Sequence, residues 1–286
     1  MSKLQKPFIK WVGGKSQLLD LILKKFPKKI NNYHEIFLGG GSVLFGLLYL
    51  KSMNQIEITG SIYVYDINPR LIHLYNNIKN NKAKLYLQIY KYFYTYDKKL
   101  NADDKEKYYY ECRDEFNSLD LNRIESSALF IFLNKTGFRG VYRENSKGKF
   151  NVPYGHYKTT PKFMSKDDFY KLSDLLQDVS FECKPFQESL KNISDGDFIY
   201  LDPPYAPEKN TSFTKYNKAG FTINDNYELF NTIKKMNNIK FMMCNANVEI
   251  VQQSFENYTK EEVTARRAIH RKNPGKTTTE LIIQNY

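Results

Sequence analysis

The stretch Phe198-Ile199-Tyr200-Leu201-Asp202-Pro203-Pro204-Tyr205 limits the fold more than any other part of the 286-residue chain. Four residues of strand character run into an acid and two prolines. Proline has no N–H for a sheet ladder, so the strand has to end at Asp202. A carboxylate, a proline carbonyl and an aromatic face are left at the carboxyl edge of a buried sheet. Open α/β sheets bind their ligands at that edge.

Two other stretches fit the same edge. Residues 34–42, His-Glu-Ile-Phe-Leu-Gly-Gly-Gly-Ser, read as a short strand entering a glycine loop, with an apolar helix following over 43–50. Such a unit lets backbone approach a nucleotide-like ligand closely. The dinucleotide fingerprint is incomplete, because Leu44 stands where its third glycine would be. The strand at 61–65 ends in Asp66, an acid placed to bond ribose hydroxyls, to cap the helix that begins near Pro69, or both. Upstream, Gly13-Gly14-Lys15-Ser16 ends like a phosphate loop, but Ile9 occupies the position of that motif's first glycine. What remains is a glycine turn that holds Trp11 and Lys15 near a ligand. Residues 16–26 then carry apolar side chains at helical spacing, closed by Pro27.

From Leu71 the strand–helix alternation stops. Residues 71–133 are rich in Lys, Tyr and Asp at helical spacing, with almost no glycine or proline. Within them 98–113 is charge-dense, as a solvated helical face would be, and 127–133 is an apolar helix. The block ends in a loop over 134–155, where glycines alternate with Phe138, Arg139, Tyr142, Arg143, Lys147 and Lys149. Residues 145–148, Asn-Ser-Lys-Gly, have the chemistry of a hairpin turn between two short strands. Guanidinium groups read guanine edges in the major groove, and aromatic rings wedge into an opened base stack. The net charge of +12 favours a polyanionic partner in the same sense. Strands return at 180–183, 197–201 and 240–245, and 262–265 with 280–285 form a closing antiparallel pair. A polar loop over 208–220 is long enough to cover a site, and 266–272 make a second basic cluster.

Other classes drop out. Cys112, Cys183 and Cys244 form no C-x-x-C pair, and the four scattered histidines give no zinc spacing. Sparse thiols fit a reducing compartment. The first residues lack the apolar run of a signal peptide, and the longest apolar stretch, 43–50, is too short to span a bilayer. A soluble, intracellular protein with no membrane partner is expected.

The chemistry available at Asp202 narrows the class further. The exocyclic amine of adenine is a poor nucleophile because its lone pair is delocalised into the ring. Alkylating it requires acceptors for its two N–H groups, so that the lone pair localises. Asp202 and the Pro203 carbonyl are two such acceptors, held rigidly by the prolines. Tyr205 is placed to stack on a flipped base. The sulfonium of S-adenosyl-L-methionine would supply the methyl group, with neither metal nor covalent intermediate. Methylation of cytosine C5 would need a nucleophilic cysteine, and none of the three sits in such a loop.

Taken in order, P-F-I-K-W-V-G-G-K at 7–15, F-L-G-G-G-S at 37–42, F-N-V-P-Y-G at 150–155 and D-P-P-Y at 202–205 resemble the motifs of the Dam-type (D12 class) DNA adenine-N6 methyltransferases. The resemblance runs along nearly the whole chain. It implies an α/β fold with a Rossmann-like S-adenosylmethionine-dependent methyltransferase sheet and an inserted helical target-recognition domain carrying a β-hairpin. Residues 1–70 and 165–286 would be catalytic, and 71–164 would recognise DNA. The resemblance further implies that Trp11, Lys15, Phe37, Gly39, Gly41, Asp66 and Asp202 line the cofactor site, and that Asp202, Pro203 and Tyr205 are catalytic. Lys10 and Arg143 would contact guanines, Phe138 would intercalate, and Arg139, Val141 and Pro153 would complete the contact with double-stranded DNA.

One stretch departs from the pattern. Members acting on GATC carry N-G-L-x-R where this chain has Arg139-Gly140-Val141-Tyr142-Arg143. The expected target is a short palindrome with central AT, either GATC or CATG. The alternatives are methylation of an RNA adenine or a protein glutamine, and a non-catalytic DNA-binding module. A cognate restriction endonuclease is an open partner.

Overall fold

The computed structural model describes residues 7–207, 220–266 and 277–286. Its strands are β1 (Lys29–Ile30), β2 (Tyr33–Glu35), β3 (Glu57–Ile58), β4 (Ile62–Asp66), β5 (Val179–Cys183), β6 (Phe198–Leu201), β7 (Lys240–Ala246), β8 (Thr259–Arg266) and β9 (Thr277–Gln284). Its helices are α1 (Leu19–Lys24), α2 (Ser42–Ser52), α3 (Pro69–Asn80), α4 (Lys82–Asp97), α5 (Ala102–Ser118), α6 (Ile124–Thr136), α7 (Lys166–Leu175), α8 (Phe186–Ser189), α9 (Ile223–Lys234) and α10 (Glu249–Ser254).

The main sheet has seven strands in the order β5-β4-β2-β6-β7-β9-β8, and β1 pairs with β3 apart from it. Every neighbour from β5 to β7 is parallel, while β9 runs antiparallel to both β7 and β8. Apart from β9, slotted in near one edge, this is the order of a doubly wound Rossmann sheet. Parallel neighbours need crossover connections, and the helices supply them on both faces. Side chains therefore alternate between two cores. Phe198 and Tyr200 of β6 and Met242 and Cys244 of β7 point to one. Ile199, Leu201, Phe241 and Met243 point to the other, under α9 and α10.

The first core continues without a break into α4, α5 and α6, through Leu85, Phe93, Phe116 and Phe132. Helix α6 is buried on every side over 126–134, its polar Ser126, Ser127 and Asn134 each satisfied by hydrogen bonds. The strand order reverses between β2 and β6. The crevice at a reversal is where such sheets bind ligands, and both the glycine loop and Asp202 lie at its carboxyl end.

Several elements differ from their sequence signals. Helix α1 starts at Leu19 rather than Ser16, after a turn in which the Leu18 N–H donates to the Lys15 carbonyl. The charge-dense stretch 98–113 is broken: α4 stops at Asp97, and α5 restarts where the Asn101 side chain accepts from the Asp104 N–H at 2.9 Å. The 145–148 turn forms, with Asn145 Oδ1 accepting from the N–H groups of Lys147 and Lys149. Its flanks make one isolated bridge, Glu144 with Phe150, in place of two strands. The Asn117 side chain of α5 holds both the N–H and the carbonyl of Phe150. The loop expected over 208–220 and the basic cluster over 266–272 lie, but for Gly220 and Arg266, outside the described residues. Among the described residues no helix is long and apolar enough to cross a membrane.

Candidate active site

The glycine loop joins β2 to α2 because its backbone takes turns that side chains resist. Gly41 caps α2 in the left-handed region at φ +69°, and a Cβ there would lie 2.5 Å from the Tyr75 hydroxyl. A Cβ on Gly39 would lie 2.9 Å from Trp11 Cδ1, so the loop packs directly on the indole. Trp11 also stacks on Tyr142, with ring centroids 5.6 Å apart, and on Phe130. Tyr142 reads in the sequence only as a hairpin aromatic. Its contact with Trp11 needs the tertiary fold.

Asp66 ends β4 beside this loop. Its Oδ2 accepts from the Gly39 N–H at 3.0 Å and its Oδ1 from the Asn68 N–H at 2.9 Å. The cap of α3 is Asn68, whose side chain accepts from the Leu71 N–H; Asp66 supplies no cap. Burial raises the Asp66 pKa, and the backbone N–H groups oppose the rise. An ionised carboxylate has about four lone-pair sites, and the N–H groups of Gly39, Ile67 and Asn68 use most of them. Phe37 meets Phe221 edge-on at 5.9 Å, and both lie near Phe186, which follows β5. These three rings form one apolar cluster on the side of the sheet where β4 and β5 end. Phe186 and Phe221 carry no sequence signal, since isolated phenylalanines are ordinarily core.

Asp202 begins where β6 ends. Lys15 Nζ lies 2.6 Å from its Oδ1, with the two side chains 4% and 18% exposed. The same ammonium donates to the Gly13 carbonyl at 2.8 Å and stands 4.9 Å from the centroid of the Tyr205 ring. The Lys15 backbone N–H donates to Ser42 Oγ, which fixes the glycine turn against α2. Tyr205 donates its hydroxyl to Glu280 Oε2 at 2.6 Å, and Asn245 Oδ1 accepts from the Ala206 N–H. The corner thus draws on β6, β7 and β9.

Burial pushes the Asp202 carboxyl up to about 6 against the pull of Lys15. Burial also works against the Lys15 ammonium, but Asp202 leads the charges that outweigh it, and its pKa ends raised. At neutral pH the two form an ion pair. Removing one partner of a buried pair costs about 3–5 kcal/mol. Below the corner Glu35 accepts from the Tyr33 hydroxyl at 2.8 Å, and burial lifts its pKa to about 8. Nothing in a lone Glu or Tyr within a strand announces such a network.

The residues expected at DNA gather around one turn. Phe138–Gly140 is a short 3₁₀ segment in which Arg139 takes φ +56°. Phe138 is 46% exposed, its N–H donates to the Pro153 carbonyl, and the Arg139 guanidinium stands 5.2 Å from its ring centroid. Arg143 donates from Nε to Asn151 Oδ1 and from Nη2 to the Asn151 carbonyl. Arg139, Arg143 and Pro153 are exposed and Val141 is half-buried. Lys10 reaches the turn from the N-terminal motif, with its Nζ over the Tyr157 ring.

A Rossmann-like sheet with an Asp-Pro-Pro-Tyr corner and a glycine loop at its switch point, beside a basic aromatic turn, marks a methyltransferase. The family model for the D12 class N6 adenine-specific DNA methyltransferases matches residues 11–269, and the chain belongs to that family. It is an adenine-specific DNA methyltransferase. It is 36% identical to the type II methyltransferase M.MjaIII of Methanocaldococcus jannaschii, over 98% of this chain and 99% of that one. It is 34% identical to a DNA adenine methylase of Haemophilus influenzae, over 95% and 90% of the two chains. A type II methyltransferase of Lactococcus lactis, M1.LlaDCHI, is 31% identical over 98% and 95%.

Proposed function

We propose that the protein transfers a methyl group from S-adenosyl-L-methionine to adenine N6 in duplex DNA, at a short palindrome with central AT, GATC or CATG. The observation that carries this reading is the Lys15 ammonium, bonded to Asp202 and standing over the Tyr205 ring. It is an N–H donor held by a carboxylate against an aromatic face. That is the environment an exocyclic amine needs, so Lys15 Nζ stands in for adenine N6.

When bound, S-adenosyl-L-methionine supplies a methyl group made electrophilic by the positive sulfonium. Asp66 would hold the ribose hydroxyls, Phe37 with Phe186 and Phe221 would pack against the base, and Trp11 with the backbone at Gly39 and Gly41 would close the site. The flipped adenine stacks on Tyr205, whose ring the Glu280 contact fixes. Lys15 leaves Asp202 and keeps its bond to the Gly13 carbonyl. Asp202 and the Pro203 carbonyl accept the two N6 hydrogens, which localises the nitrogen lone pair. Asp202, with its carboxyl near neutrality, is placed to take the proton that N6 releases.

Residues 71–164 carry recognition, and 1–70 with 165–286 carry the chemistry. Phe138 wedges into the stack, Lys10 and Arg143 read guanines, and Arg139, Val141 and Pro153 line the opened pair. The names of the type II relatives support a cognate restriction endonuclease as a partner.

Sequencing DNA from cells that express the protein, scored for N6-methyladenine, tests activity and site together. Tritium transfer from labelled cofactor to duplex DNA, RNA and protein tests the acceptor. Label in duplex DNA at a short palindrome is expected. Absence of label in duplex DNA, with label in RNA or protein, would overturn the reading.

A further inference from the structure

Asn134 is a buried polar side chain that the mechanism above does not use. Asn134, near the end of α6, is 3% exposed. Its Oδ1 accepts from the Lys10 N–H at 2.9 Å, and its Nδ2 donates to the Lys10 carbonyl and to the Gly140 carbonyl, each at 2.8 Å. Both amide donors are therefore used. The reversed amide would set Oδ1 against two carbonyl oxygens, so the bonding fixes the orientation. No helix or sheet bond depends on this side chain. Its partners are the backbone of the N-terminal motif and the backbone of the recognition turn.

Gly140 closes the arrangement from the other side. It takes φ +67°, and a Cβ there would lie 2.6 Å from Lys10 Cδ and 2.9 Å from the Asn134 carbonyl oxygen. The backbone at Gly140 therefore packs closely against the Lys10 side chain and the end of α6, and only glycine fits there without a shift. Lys135, next on α6, has its pKa lowered by burial and then by the Lys10 charge.

We propose that Asn134 is a positioning residue for sequence discrimination: it locks Lys10 to the Phe138–Gly140 turn, so that readers from the two chain segments meet DNA as one rigid unit. Two readers on separately moving segments could each adjust to a mismatched base pair. Two readers fixed to each other cannot, and an error at one strains the other. The inference rests on the proposed DNA contacts of Lys10 and Arg139.

The test uses the full chain and duplexes carrying GATC, CATG and their single-base variants, with kcat and KM measured on each. Asn134→Asp keeps the shape and the Lys10 N–H acceptor but removes both donations. It is expected to lower discrimination about tenfold at the base pairs governed by Lys10 and by Arg139 together, chiefly through KM on the preferred site. Gly140→Ala attacks the same lock from the opposite side and serves if Asn134→Asp fails to fold. Thermal melting sets the folded fraction for every variant. Lys10→Ala and Arg139→Ala run in parallel, and each should relax discrimination at its own position only. If these two do so while Asn134→Asp and Gly140→Ala slow all duplexes in equal proportion, the lock is refuted and the DNA reading stands. If Lys10→Ala and Arg139→Ala leave every duplex unchanged, the DNA reading fails and the lock fails with it.

Discussion

The Asp202 corner and the 137–155 loop sit on one molecule but are built by opposite rules. At the corner each polar group is held by a different element: Asp202 by Lys15, Tyr205 by Glu280, Ala206 by Asn245. The loop is tied at its base by backbone bonds, Phe138 to Pro153 and Gly155 to Thr136, while Phe138, Arg139, Arg143, Lys147 and Lys149 stay in water. A methyl transfer tolerates little displacement, so Tyr205 and the following backbone are fixed in advance, and Lys15 holds Asp202 until the proposed amine replaces it. Readers of DNA exchange water for bases and phosphates, so they stay solvated until then. In the proposed function this division would let the loop change its target while the corner keeps its chemistry.

Breaking the corner should have the largest effect. Asp202→Ala is expected to lower kcat by about a hundredfold or more while duplex binding, read by fluorescence anisotropy, largely survives. Equal loss of both would make Asp202 a structural residue. The second effect is on pH. Burial pushes the Asp202 carboxyl up to about 6, and only its charged form can take the proton that N6 releases, so kcat/KM should fall as pH drops through about 6. Lys15→Gln removes the charge that holds this pKa down and should move the acid limb upward. A limb that stays near the ordinary carboxylate range would contradict the assignment.

A smaller loss is expected in the frame. Gly41→Ala puts a Cβ at φ +69° and against Tyr75, at a cost of about 1–3 kcal/mol. A lower melting temperature and weaker cofactor binding by calorimetry should appear together. The loop gives the subtlest result. Arg139→Asn should shift preference among duplexes about tenfold with kcat on the best site little changed; an unaltered methylation pattern would remove Arg139 from recognition.

The same contrast explains what could be read from the sequence. Strand ends were legible because proline, glycine and aspartate act locally: Pro203 stops β6, Gly41 caps α2, and Asp66 ends β4. The turn at 145–148 was legible through Asn145 and Gly148 for the same reason. The break at Lys98 to Asn101 was not, because charge density marks solvation and says little about continuity, and the cap that decides it is a single Asn101. Nor was the choice of Asn68 over Asp66 as the cap of α3, since either side chain suits that place and the Gly39 N–H claims Asp66. Glu280, Tyr142 and Phe186 join the site through pairings between strands and rings distant in sequence, which no local signal carries. How the 71–164 segment divides from the rest is harder still, because α4 to α6 share one apolar cluster with the sheet.

The antiparallel strand β9 has a consequence for the making of the protein. Synthesis delivers Lys15 and the glycine loop early, Asp202 to Tyr205 much later, and Glu280 later again. Until β9 has threaded between β7 and β8, the Tyr205 hydroxyl has no acceptor and the ring beneath Lys15 is unanchored. Contacts of such long sequence separation must close a long loop before they are rewarded, which makes them slow to form. A partly synthesised chain can thus carry the glycine loop and the Asp-Pro-Pro-Tyr corner and still be unable to modify DNA.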